Sequence, residues 1–300
     1  MICPACNREL PRESTFPPPD DTLLPFFAYG AFKPGELAFH RLRDLVVSQE
    51  SPRTIQGELR IRDGLPIANP VGNTRLRGAL LRFRRGTEDE AYARIAALEP
   101  GKQYRWEIAL VENTPANYLV GKSPMKGSVS LEAEDWSGKD DPLFTAALDV
   151  VDETLAKHSS FEWDLKPLFR LEMAYMLLWS SIERYASLRY DLSDKATSKI
   201  MSIAAEPAFQ EALRAQVNTK REVFRADDPA SKCVLDPSQP TKALAYYYQI
   251  RSNLVHRCKG VVRDHEILNQ SLHELLAIFR QVLTTAFTSE PQPAPSPQPE

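Results

Sequence analysis

From Pro142 to Phe287 the apolar residues recur at three- and four-residue spacing, as in Leu168, Leu171, Tyr175, Leu178 and Ile182. From Leu23 to Trp136 they fall mainly into short runs separated by turn residues. The first pattern lines one face of a helix, and the second suits strands. One chain therefore carries two textures. Helices are expected at Leu143–Lys157, Leu165–Leu188, Ser193–Ala204, Pro207–Val217, Lys242–Val255 and Asp264–Thr285. Strands are expected at Phe26–Tyr29, Thr54–Arg62, Arg75–Phe83, Trp106–Val111 and Tyr118–Gly121. They are accompanied by helical spacing over Leu37–Val46 and Glu88–Leu98.

Fold class α+β follows: a small mixed α/β barrel or sheet, then an all-α helical bundle. Residues 1–22 hold a C-x-x-C and a proline-rich linker, and 23–136 form the mixed domain. Residues 137–159 form a linker and helix, 160–287 the bundle, and 288–300 a tail almost free of apolar side chains and expected to be disordered.

With 300 residues and 43% hydrophobic content, the chain can bury real cores. A net charge of −3 argues against coating nucleic acid along the whole surface and leaves room for a local basic patch. No apolar run reaches a membrane span and the Met1 region lacks a signal-peptide core, so no membrane partner and a cytoplasmic protein are expected. Cys3 and Cys6 form one zinc knuckle, half of a zinc ribbon. A structural zinc there needs two more ligands, from Cys258, His256 or a second subunit, and nothing in the spacing demands them. The prolines that follow disfavour a redox C-x-x-C, which normally opens a helix.

In the mixed domain, Tyr29-Gly30-Ala31-Phe32-Lys33-Pro34-Gly35 leaves an apolar strand by a turn with two glycines. Such a turn can aim successive backbone N–H groups at a carboxylate, although most glycine turns only connect. Phe27 to Gly35 resembles the Tyr-Gly-x-Leu loop of the γ-glutamylcyclotransferase-like family. Ala97-Leu98-Glu99-Pro100-Gly101-Lys102-Gln103-Tyr104-Arg105-Trp106 resembles its Leu-x-x-Glu-Gly and strand-opening tyrosine. The likeness spans roughly residues 24–125. It implies that Tyr29, Gly30, Ala31, Phe32 and Tyr104 surround a γ-glutamyl or other small acidic ligand. Glu99 would then take a proton from the α-amine, which attacks the side-chain carbonyl and releases 5-oxoproline. Phe32 stands where the family has leucine, and Pro100 where it has glycine.

In the bundle, Arg251 and His256 lie at i and i+5. On a regular helix that spacing puts them about 140° apart. They do not share one face, so either the helix distorts or ends there, or two subunits share a site. Arginine can clamp a phosphate and histidine can move a proton near neutrality. Asn253 between them can cap, orient the ring or touch a ligand. Tyr248-Gln249-Ile250-Arg251-Ser252-Asn253-Leu254-Val255-His256, then Lys259-Gly260 and the helix Leu268–Leu283, resembles the HEPN superfamily, notably its Apea-like branch. That resemblance implies a metal-independent ribonuclease acting as a homodimer. His256 would exchange protons with the ribose 2′-hydroxyl or the leaving oxygen, Arg251 would hold the scissile phosphate, and RNA would be the partner. Arg257, Lys259 and Arg263 would add phosphate affinity, though a basic run serves equally as a solvated surface.

Neither resemblance requires a cofactor. Together they suggest a stress or defence ribonuclease whose first domain senses, modifies or restrains the second. The alternatives are a cyclotransferase with the bundle as a dimerisation module, and a non-catalytic binding protein.

Overall fold

The computed structural model describes residues 16–99, 103–158, 165–190, 196–225, 228, 230–257 and 265–288; the side chains of Ala196, His256 and Arg257 also lie outside the description. The described residues divide into two compact units, 16–138 and 139–288. No described helix is long and apolar enough to cross a membrane.

In the first unit, β1 (Phe26–Ala28), β2 (Val46–Gln56), β5 (Arg75–Phe83), β6 (Tyr104–Val111) and β7 (Thr114–Gly121) form one sheet ordered β2-β5-β1-β7-β6. A second sheet joins β3 (Glu58–Arg62), β4 (Leu65–Asn69) and β8 (Val129–Ser130) in the order β4-β3-β8. β1 runs antiparallel to β5 and parallel to β7. The described pairings leave β2 and β6 as sheet edges, so the strands form two open sheets and the expected barrel does not close.

Gly57 is part of the reason. Its φ of 153° breaks the expected strand Thr54–Arg62 into β2 and β3, which then pair in different sheets. The segment expected as a helix over Leu37–Val46 also departs from its pattern. Leu37, Ala38, Phe39, Leu42 and Leu45 are all buried, but through successive three-residue turns, with Leu42 N–H donating to Phe39 O and Leu45 N–H to Leu42 O. The chain then enters β2 at Val46.

α1 (Glu88–Leu98) packs Ala91, Tyr92 and Ile95 into the core. The rings of Phe26, Phe83 and Trp106 meet Tyr92 edge-on. Such pairs add about 1 kcal/mol each beyond their buried area. Close packing extends to the backbone at Gly78 on β5, where a Cβ would lie 2.4 Å from Ala28 O.

The second unit contains α2 (Ala146–His158), α3 (Leu165–Arg189), α4 (Ala196–Ser202), α5 (Pro207–Gln216), α6 (Pro240–Arg257) and α7 (His265–Thr288). It is not all-α. β9 (Arg221–Phe224) and β10 (Lys232–Leu235) form an antiparallel ribbon. Arg221 of that ribbon reaches α7, where its guanidinium donates to both carboxylate oxygens of Glu274. Tyr247 on α6 donates to the same carboxylate at 2.9 Å. This ion pair is mostly buried, and it gives the ribbon a reason to lie against the helices.

Of the three consecutive tyrosines on α6, Tyr246 and Tyr247 are buried and Tyr248 meets Trp179 edge-on at 5.5 Å. Trp179 is core, as its helical spacing suggests. Trp163 lies outside the described residues.

Removing one partner of a buried pair leaves the other charge uncompensated. Glu274→Ala is therefore expected to lower unfolding free energy by about 3–5 kcal/mol in urea titrations. Replacing both partners by methionine should cost less than that single change.

Candidate active site

The turn after β1 is built around Tyr29. Its ring is buried, and its hydroxyl donates to Leu119 O on β7 at 2.8 Å. The same oxygen accepts the Ala68 N–H of β4 at 3.2 Å. One phenol thus joins the end of β1 to both sheets. Gly30 follows with almost no room beside it, since a Cβ there would lie 2.8 Å from Pro66 Cγ. The turn then closes on itself. Lys33 N–H donates to Gly30 O at 2.9 Å, Glu36 N–H to Lys33 O at 3.0 Å and Ala38 N–H to Ala31 O at 3.0 Å. None of these bonds uses the amides of Gly30, Ala31 or Phe32.

Glu99 is the residue on which α1 ends, with an extended backbone (φ −100°, ψ 129°) that turns the chain away from the helix. The residue keeps some exposed surface, but its carboxyl group is enclosed by protein. Burial pushes that carboxyl up to about 8, and no cation among the described residues offsets it. Glu99 also lies close enough to Tyr29 for its charge to help raise the phenol, whose own burial is the larger cause. Tyr118 contributes to the same effect, and burial pushes its hydroxyl up to about 12. A carboxyl that stays protonated to near pH 8 can give a proton to a leaving amine and take one from an ammonium of similar acidity.

The residues singled out in this turn divide by access. Gly30, Ala31 and Glu99 retain exposed surface. Tyr29, Phe32 and Tyr104 are buried. Tyr104 spends its hydroxyl on Pro66 O at 3.2 Å, and Phe32 packs edge-on against Phe26. These three shape the site from behind. Pro100 and Gly101 lie outside the described residues. Sequence reasoning missed β4, whose Pro66 and Ala68 form the floor beneath the turn, because a proline normally argues against a strand interior.

The second constellation sits on α6. That helix runs unbroken from Pro240 to Arg257, so Arg251 and His256 share it and it ends one residue after His256. Arg251 donates to Glu183 on α3 at 3.1 Å and lies over the Tyr248 ring at 5.6 Å. Asn253 accepts from Gln249 at 2.8 Å and donates to Phe224 O on β9 at 2.9 Å, tying helix to ribbon. The His256 and Arg257 side chains, and Lys259 and Arg263 altogether, lie outside the description, as do Cys3, Cys6 and Cys258. Among the described residues no group of three or more His, Cys, Asp or Glu is placed to hold a metal ion.

No known family model matches the chain, and no curated protein matches it. Among solved structures, the uncharacterized protein PH0828 from Pyrococcus horikoshii aligns at 19% identity over 37% of this chain and 88% of that one. Its TM-score of 0.31 is too low for the likeness to assign a fold.

The raised carboxyl has a stability signature. The folded protein keeps the Glu99 proton from 4.5, the ordinary value, up to about 8, whereas the unfolded chain releases it. Stability is therefore lost as pH rises across that window. Glu99→Gln removes the loss. It should stabilise the protein at pH 9 by on the order of 3 kcal/mol, allowing for solvent near a partly exposed residue, and change little at pH 4, as read by denaturant melts.

Proposed function

We propose that the N-terminal unit is a γ-glutamylcyclotransferase-type enzyme that cyclises a γ-glutamyl compound to 5-oxoproline. The observation that carries this reading is the Glu99 carboxyl, enclosed beside Tyr29 with its pKa pushed up to about 8. Glu99 accepts a proton from the substrate α-ammonium. The freed nitrogen bonds to the γ-carbonyl carbon, Glu99 gives its proton to the attached group's nitrogen, and the bond from that carbon to this nitrogen breaks. Glu99 then takes the second proton from the ring nitrogen and passes it to the departing amine, which leaves as an ammonium. The amides of Gly30, Ala31 and Phe32, which the hydrogen bonds that close the turn do not use, hold the α-carboxylate.

A panel of γ-glutamyl amino acids and peptides assayed for 5-oxoproline tests this. Turnover should rise with pH through about 8 as Glu99 ionises. Glu99→Gln should lower it by roughly 10²-fold or more. No 5-oxoproline from any member at pH 9, or an undiminished Glu99→Gln variant, overturns the reading.

A second reading assigns the helical unit a metal-independent ribonuclease activity of HEPN type, shared between two copies. It is favoured by an open groove of about 730 Å³ lined by Val150, Phe169, Met173, Leu254 and Val255, the last two directly preceding His256. Val150, Phe169, Met173 and Val255 are exposed, an apolar face of the kind that marks interfaces. For Arg251 to clamp a phosphate, it must exchange Glu183 for the ligand. RNA cleavage that persists in EDTA and is lost in His256→Ala, with a sedimentation coefficient of a dimer, is the expected result. Intact RNA with dimeric wild-type protein counts against it.

A further inference from the structure

Beyond Gly30 and Phe32, the polar side chains of the turn that leaves β1 reach one short piece of chain. Lys33 turns its ammonium onto the Asp135 carboxylate and onto Trp136 O, the second at 2.6 Å. Three residues on, the Glu36 carboxylate accepts the Gly138 N–H at 2.9 Å. Both side chains are well buried, with 12% of the Lys33 side chain and 8% of Glu36 exposed. Segment 134–138 is itself anchored to the body of the unit. Glu134 O accepts the Arg77 N–H of β5 at 2.8 Å. Trp136 is buried in the core, and its indole donates to Gly64 O at 3.3 Å. The chain then passes directly to Lys139, where the helical unit begins.

The two ties bracket a single turn. Lys33 O accepts the Glu36 N–H, and Gly35 between them takes φ +85° with open space where a side chain would stand. The same turn carries Gly30 and Ala31, through Lys33 N–H to Gly30 O and Ala38 N–H to Ala31 O. If segment 134–138 lifts away, a buried ammonium and a buried carboxylate lose these partners together, a larger penalty than breaking two exposed hydrogen bonds. The 33–36 part of the turn then loses these ties, and Gly35 lets it change shape.

We propose that segment 134–138 is a strap that holds the 30–36 turn in its ligand-binding shape, with Lys33 and Glu36 as positioning residues. The ligand class, an α-amino carboxylate such as a γ-glutamyl compound, rests on the cyclotransferase reading above; the strap itself rests only on these hydrogen bonds. Strap and ligand both bear on this one turn, so they stabilise each other. A bound ligand tightens the strap, and a loosened strap weakens the ligand.

Hydrogen exchange on the full-length protein reads the strap without reference to activity. Lys33→Met removes both Lys33 bonds and leaves that of Glu36, and Asp135→Asn weakens one Lys33 bond from its exposed side, so it serves if the first variant folds poorly. Amides of residues 30–38 should exchange at least tenfold faster in both, while α1 and the helical unit keep wild-type protection. Lys33→Arg should restore much of the protection. In the 5-oxoproline assay the same variants should raise KM severalfold with kcat little changed, the split expected of positioning rather than proton transfer. Unchanged exchange in the turn overturns the strap, even with an active wild type. A uniform loss of protection throughout the N-terminal unit in Asp135→Asn also overturns it, because the contact would then be structural only. If the wild type yields no 5-oxoproline but the turn alone loosens, the strap stands and the substrate class falls.

Discussion

The hydroxyl of Tyr29 sets the geometry on which the N-terminal unit depends. One oxygen both donates to Leu119 O and accepts from Ala68 N–H, so a single side chain ties β1 to β7 and to the other sheet through β4. Both bonds are buried, where an unmet partner costs about 1–3 kcal/mol. The turn at Gly30 starts from that fixed point, pressed against Pro66, and Glu99 comes up beside it from the end of α1. Position in this site follows from a backbone-bonding tyrosine rather than from any group that would touch a ligand.

Three glutamates show why Glu99 stands apart. Glu274 is mostly buried and meets the Arg221 guanidinium, Tyr247 and Gln270. Glu206 receives the hydroxyls of Tyr185 and Tyr190 and the Arg189 guanidinium. Both carboxylates are compensated, as structural buried charges must be. The Glu99 carboxyl is enclosed without a compensating cation among the described residues, and it answers by holding its proton to about 8. Folding gains nothing from that arrangement above neutral pH. A proton-transfer site gains a great deal.

Much of the architecture was legible in the chain. Arg75–Phe83 and Glu88–Leu98 form the strand and helix their patterns predict, and α3 and α7 follow their apolar stripes closely. The misses have physical causes. The 37–46 segment buries the right residues through short turns, because it must reach β2 within a few positions. β4 hides behind Pro66, and the β9–β10 ribbon is too short for its alternation to stand out. The site was legible in part. Gly30 and Glu99 were singled out from their local motifs, but the buried roles of Tyr29, Phe32 and Tyr104, and the ties from Lys33 and Glu36 to segment 134–138, join residues that are distant in sequence.

Sequence alone determined where the longer helices and strands form, because periodicity acts over a few neighbouring residues. It also showed that Arg251 and His256, five residues apart, do not share one face of a regular helix, since angular separation follows from residue spacing. Only the tertiary structure decided which polar groups keep their freedom. It gave Arg251 to Glu183 and Asn253 to the ribbon, saturated Glu274, and enclosed Glu99 next to a phenol seventy positions away. Protonation state depends on solvent access and on every charge within a few ångströms, and neither is set until distant segments pack together.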